Sequence, residues 1–414
     1  MTEGTGRAGL GPQAAVLAAF ACFGLVWGMY AAAMPAIKAA TGASDGVLGA
    51  AVSAAGLAAL PAMFGIGRLA DRFGRNAFLA AAALFAATTP LPLFAGSVPT
   101  LAAGFLVFGG CSGAFDVVIN HIAAEYEEAA RRRVLNKAHA VFSTGLLAGS
   151  AGMGALRGAG VRPGWVLAAT AGVMLVMAVP LWRLLPSRPP HVPVPGSSRG
   201  DSGGPGYRTG RPAAGRRLSA RVWLLGGLGL LALLVESGVQ QWSAVLLEDV
   251  LRAAPVIAGL GPAVFAAAEA LGRLGSQRLI SRLGDVRLLA CSGLIAVPGT
   301  VLLGVAGSPA IALAGVAIAG IGISAAAPTL YGLAGRSADQ RDRGRTIAAV
   351  SGVAYVGLLG GPGVVGQVAG VTSLHLALAL LAPVALLMAA GIVVLASRDP
   401  DISRAARQAP GLAP

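Results

Sequence analysis

Twelve apolar runs, each near the ~20 residues an α-helix needs to cross a bilayer, follow one another along this chain of 414 residues. They lie at about 14–36, 47–67, 77–95, 99–121, 138–160 and 164–185, then at 222–245, 254–275, 286–306, 310–334, 346–370 and 374–396. The first run is longer than the apolar core of a signal peptide, and no small-residue cleavage site follows it, so it reads as a retained helix. Only 12% of the residues are charged, where soluble domains carry about 25%. The 61 glycines cluster beside Ala and Ser within the apolar runs, as suits close helix packing in lipid. The expectation is an all-α membrane protein with twelve transmembrane helices in contact with the lipid bilayer.

Charge sets the topology. The formal net charge is +14, yet the arginines fall in short loops between apolar runs, without the aromatic-interleaved basic surface or motif that would indicate a nucleic-acid partner. All but four of the 31 Lys and Arg residues (Lys38, Arg157, Arg162 and Arg252) lie on one side if the N-terminus is cytoplasmic. The positive-inside rule then puts both termini in the cytoplasm. Residues 186–221, rich in Pro, Gly, Ser and Arg, lose apolar periodicity and read as a disordered basic linker. The chain thus divides into an N-tail (1–13), six helices (14–185), the linker, six more helices (222–396) and a C-tail (397–414). Cys22, Cys111 and Cys291 lie within the spans, with no spacing for a disulfide framework or zinc. No histidines are spaced for a metal. P-loop spacing and recognisable catalytic constellations are absent, so neither an enzyme nor a cofactor is expected.

Between the second and third runs stands Gly67-Arg68-Leu69-Ala70-Asp71-Arg72-Phe73-Gly74-Arg75. Gly67 permits close backbone approach, Gly74 supplies a turn, Asp71 can cap or pair, and the arginines hold the hairpin in the cytoplasm. A looser copy, Gly272-Arg273-Leu274 and then Arg282-Leu283-Gly284-Asp285, stands at the corresponding place in the second half, with Ser276 where the first copy has its acid. G-x-L-A-D-R-x-G-R resembles the loop signature of the major facilitator superfamily of secondary transporters, over about residues 14–396. That resemblance implies two pseudo-symmetric six-helix bundles that rock about a central site, and a solute carrier expected to work as a monomer. It also implies a cytoplasmic gate, for which Gly67, Asp71, Arg72, Gly74, Arg75, Gly272, Arg273 and Arg282 are the candidates.

Function must come from polar groups that apolar spans should not contain, because a charge at mid-bilayer costs at least about 2.5–3.5 kcal/mol. Asp116 shares a helix face with Ser112 and Asn120. Away from water a carboxyl favours its uncharged form, so Asp116 is suited to carrying a proton, or else hydrogen-bonds a neighbouring helix. Glu236 opens a second stripe with Gln240 and Ser243, and Gln241 and Trp242 lie alongside. This is either a second proton and solute site or a polar helix end with Trp242 as interfacial anchor. Glu269 precedes Arg273 by four residues and reads as a structural ion pair. Trp27, Tyr30 and Tyr355 are candidates for a cavity wall, or for packing. His139 reads as cytoplasmic-end structure or gate. Pro328 and the Gly360–Gly363 run are breakers that suit bending helices.

Drug–proton antiporters of the superfamily carry R-x-x-Q-G in helix four, where Phe105, Phe108 and Gly109 stand here, and a proline-containing helix-five element missing from Gly145–Gly154. Asp116 to Asn120 with Glu125, His139 and Gly145, and Glu236-Ser237-Gly238 with Trp242-Ser243, resemble instead a bacterial branch related to fucose–proton symporters. There the helix-four acid is implicated in proton coupling, and Asp116 is the matching position. The expectation is a proton-coupled carrier of a small-molecule substrate, sugar-like or another metabolite. Proton-driven efflux of a drug or metabolite, and a non-transporting membrane sensor or scaffold on the same fold, stay open.

Overall fold

A computed structural model describes residues 11–73, 75–130, 134–185, 219–338 and 342–407. The expected linker at 186–218 and Gly74 lie outside them. Helices α1 (Pro12–Thr41), α2 (Asp45–Phe73), α3 (Arg75–Thr88), α4 (Val98–Ala130), α5 (Leu135–Gly158) and α6 (Pro163–Leu184) form one bundle. In the second, α7 (Ala220–Val245) continues into a π-turn, Leu246–Val250. The helical run Pro255–Gly304 breaks at Gly284, whose φ of 73° and ψ of 168° are open to glycine alone, giving α8 (255–283) and α9 (285–304). Then follow α10 (Pro309–Arg336), interrupted at Ser324 and Ala325, α11 (Arg343–Val371) and α12 (Leu374–Arg398), interrupted at Leu380. A short amphipathic helix, α13 (Pro400–Arg407), closes the described chain.

Ten helical segments among the described residues are long and apolar enough to span a membrane. The run from 255 to 304 counts once among them, and α5 falls below the mark because Lys137, His139, Ser143, Thr144 and Ser150 dilute it. The fold therefore contains the twelve expected helices. Several overrun their apolar stretches at one end: α2 continues to Phe73 and α4 to Ala130, through residues too polar for hydrocarbon but still good helix formers.

Phenylalanines knit the first bundle. Phe85 and Phe115 stack with centroids 5.0 Å apart, and Phe23 meets both edge-on. In the second bundle Asp285 opens α9 at 0% side-chain exposure, and its Oδ1 lies 2.7 Å from Nη2 of Arg336 in the last turn of α10. Each charge thus sits at the helix end whose dipole favours it. Asp285→Ala would strand the guanidinium and is expected to cost about 3 kcal/mol, read as a lowered thermal transition of the purified protein; an unchanged transition would show that the pair contributes nothing.

Candidate functional site: the bundle interface and the acids beneath it

The bundles meet through α2 against α11 and α5 against α8, at the end where α1 and α5 finish and α8 begins. Small residues set the distance. A Cβ on Gly154 would stand 2.8 Å from Cα of Gly259, and one on Gly49 would stand 2.5 Å from the Pro362 carbonyl. Polar bonds to backbone line the same seam: Ser150 Oγ donates to Gly259 O at 2.7 Å, Gln367 Nε2 to Gly46 O at 3.0 Å, and Gly363 N–H to Ser53 Oγ at 2.9 Å.

Ion pairs close the rim. The Arg157 fork reaches Glu248 of the π-turn at 2.8 and 2.5 Å, and Nη1 also donates to Ala32 O at 2.8 Å. Its side chain is only 6% exposed. Lys38 Nζ bridges Asp45 at 2.6 Å and Asp249 at 3.0 Å. Lys38 and Arg157 are two of the four basic residues on the sparsely charged side, which is the signal that could have marked them. Sequence reading passed over them because it looked for a gate only at the charged loops.

Those loop candidates are placed otherwise. The surroundings of Gly67 and the side chain of Asp71, like Gly74, lie outside the description. Arg72 is exposed beside the Phe73 ring. Arg75 lies 4.8 Å from the Trp182 ring centre, and its Nη1 is 3.5 Å from Leu185 O, so it ties α3 to α6 within one bundle. Gly272 is a contact of α8 with α10, where a Cβ would stand 2.2 Å from Ser324 Oγ. Arg273 pairs with Glu269 as its spacing predicts, and Arg282 is exposed.

Among the acids, Asp116 is half-buried and accepts from Asn120 Nδ2 at Oδ1, 3.0 Å away. The same amide donates to the Asp116 carbonyl at 2.9 Å. Both residues continue the face of α4 on which Gly109 and Gly113 contact Ala55 and Ala59 of α2. Glu236 lies in the other bundle on α7, within electrostatic reach of Glu269 of α8. Glu269 is 6% exposed, and Tyr331 of α10 lies within electrostatic reach of Glu236. Sequence reading caught the Glu269–Arg273 spacing but not this meeting of two acids, which only tertiary packing creates.

The aromatic candidates divide. Tyr30 takes the packing alternative: it is 0% exposed, packs on Phe105 and Phe108, and donates its hydroxyl to Thr89 O. Trp27 leans on Phe108 with centroids 5.5 Å apart. Trp242, 2% exposed, donates Nε1–H to Pro362 O at 3.0 Å, and its ring edge faces the places where Gly49 and Gly366 lack a side chain. It is a part of the seam, not a free stacking face. Tyr355 is 37% exposed. Gln240 is half-buried, and the buried Oε1 of Gln241 has no hydrogen-bond partner among the described residues. His139 meets Phe20 edge-on, 5.3 Å between centroids.

Two helical bundles joined at one end, with carboxyls inside the spans, define a multi-pass membrane transporter. Comparison with known proteins agrees. A sequence profile of the Major Facilitator Superfamily matches residues 16–261 and 242–413, and the chain belongs to that family. It is 30% identical over 387 residues to an uncharacterized MFS-type transporter of Yersinia pestis, covering 92% of this chain and 95% of that one. It is 27% identical over 372 residues to the membrane protein MosC of Rhizobium meliloti, covering 89% and 86%. Among solved structures, the nucleoside transporter NupG superposes with a TM-score of 0.71 at 13% identity over 92% of this chain and 98% of that one. A bacterial homolog of the human lysosomal transporter Spinster, inward-facing and occupied, gives 0.67 at 16% identity over 95% and 96%. At such identities the likeness speaks for the fold alone.

Proposed function

We propose that this protein is a proton-coupled secondary transporter that moves a small organic solute, sugar-like or another polar metabolite, by alternating access. The observation that carries the reading is the placement of Asp116 and Glu236 within membrane-spanning helices of opposite bundles. Ionised groups are too costly there to be retained without use. Asn120, Gln240 and Gln241 supply nearby amides, and the bare Oε1 of Gln241 is an acceptor awaiting a donor such as a solute hydroxyl. The resemblance to the fucose–proton branch supports both the solute class and Asp116 as proton carrier.

In this reading both termini lie in the cytoplasm of a bacterial cell, the joined end faces outwards, and the arrangement corresponds to an inward-facing state. Asp71, Arg72 and Arg75 then belong to the opposite gate, which closes when the outer one opens. The test is reconstitution into proteoliposomes with a pH-sensitive dye inside, challenged with sugars, polyols, amphipathic cations and antibiotics. Solute-dependent proton movement is expected from a sugar or polyol, with at least a tenfold loss in Asp116→Asn. Movement with cations or antibiotics alone would replace the solute class, and undiminished movement in the variant would remove Asp116 from the coupling.

A further inference from the structure

Of the four basic residues on the sparsely charged side, Lys38 and Arg157 belong to the seam, and Arg162 and Arg252 are left over. Arg252 is exposed in the loop before α8. Arg162 stands just before Pro163, the first residue of α6, exposed and without a side-chain hydrogen bond or ion pair among the described residues. The acids at this end, Asp45, Glu248 and Asp249, are already bound to Lys38 and Arg157. Arg162 lines instead a cavity of about 220 Å³ between the end of α1, the short turn Leu91–Phe94 that follows α3, and the start of α6. That is many times the volume of one water. Ala36, Ile37 and Leu93 make much of the lining apolar, and the rings of Phe94 and Trp165 meet edge-on beside them, 5.4 Å between centroids. Both rings are exposed, as aromatic side chains are where a membrane meets water. From Trp165 an exposed apolar stripe runs along α6 through Ala169, Gly172, Val173 and Val176, at the spacing of one helix face.

We propose that this cavity binds the headgroup of an anionic phospholipid from the leaflet at the joined end. A free cation, an apolar pocket and a lipid-facing track follow one another in the order of phosphate, glycerol and acyl chain. The phosphodiester takes the Arg162 guanidinium, whose planar fork suits phosphate oxygens. The glycerol fills the space beside Ile37 and Phe94, and one chain lies along the α6 stripe. No acid lines the cavity to receive the ammonium of a zwitterionic headgroup, so phosphatidylglycerol is favoured over phosphatidylethanolamine. The site also touches the seam, because Ile37 precedes Lys38 on the last turns of α1. A bound lipid braces the helix end that carries the rim ion pairs. From the transport reading above the site takes only its leaflet, the outer one.

Trp165 itself reports occupancy. The protein would be reconstituted in bilayers holding increasing fractions of phosphatidylglycerol, or of phosphatidylethanolamine, brominated high on the acyl chain. Subtracting the emission of Trp165→Phe isolates the quenching of this one ring. Phosphatidylglycerol is expected to quench at a roughly fivefold lower fraction than phosphatidylethanolamine, the worth of one arginine beside an anionic headgroup. Arg162→Gln is expected to abolish that preference. Arg252→Gln makes the same charge change at the same end, away from the cavity, and should leave the preference intact. Ala36→Leu, which fills the cavity and keeps the charge, should weaken it. Equal quenching by the two lipids, or equal losses in the two arginine variants, would overturn the site in favour of a general attraction of cations to the membrane surface. A preference unchanged by Ala36→Leu would remove the cavity from it, and displacement by millimolar inorganic phosphate would assign the pocket to a soluble anion. None of these outcomes depends on solute-driven proton movement, so the lipid site and the transport reading stand or fall separately.

Discussion

Arg157→Ala is expected to unseal the joined end of the protein. The guanidinium is almost fully enclosed and holds Glu248 with two bonds and the Ala32 carbonyl with a third. Removing one partner of a buried pair costs about 3–5 kcal/mol, because the other charge is left uncompensated. In the other state of the proposed cycle, where the bundles part at this end, Glu248 is wetted and loses little. The difference falls on the sealed state and shifts the balance by roughly a hundredfold to several thousandfold. Spin labels at the exposed Ala40 and Ala254, after replacement of Cys22, Cys111 and Cys291, would read the change as a longer inter-bundle distance. An unchanged distance distribution would mean that the seam holds without the ion pair.

Gly154→Val is expected to be still more disruptive. A side chain there would meet the Gly259 Cα at 2.8 Å and the Pro255 carbonyl at 2.9 Å, and these are backbone atoms that cannot swing aside. Overpacking typically costs 1–3 kcal/mol; at a seam that opens and closes in the proposed cycle, the helices are pushed apart instead. Solute flux should fall at least tenfold, with the spin-label pair in the parted arrangement. Gly152 is the control, because a Cβ on it meets nothing within 4 Å. Gly152→Ala should leave flux intact and favour the helix by up to about 1 kcal/mol. Equal losses in the two variants would point to a general effect of glycine removal in α5.

The helices were legible because hydropathy answers directly to the bilayer: backbone satisfaction forces each apolar run into one helix. Their far ends were not, since a helix leaving the hydrocarbon meets no penalty that the sequence records, as α2 and α4 show by running on to Phe73 and Ala130. Asp116 and Asn120 could be paired from spacing alone, for a four-residue step is local. Glu236 and Glu269 could not, because they stand on two helices and their nearness depends on how those pack. Tyr30 stayed open between two roles for a related reason. An aromatic among small residues can face a cavity or a phenylalanine cluster, and Phe85, Phe105 and Phe108 come from α3 and α4. Lys38 and Arg157 were visible as exceptions to the charge bias, but their acidic partners at 248 and 249 come from the other half of the chain.

The seam between the bundles divides its labour. Within lipid, turning apolar side chains from hydrocarbon to protein brings no hydrophobic gain, and close glycine faces hold through backbone packing and the polar bonds it permits. The glycines decide how near the bundles come. What must break on parting is then a short list, the bonds of Ser53, Ser150 and Gln367 and the charged groups at the rim, where water can reach Lys38 and its two acids. A carrier constructed this way resembles a latch more than a zipper. Each closure commits few bonds, so reopening needs only a few to be broken, and the rate of cycling can be tuned by single residues without altering the path the bundles follow.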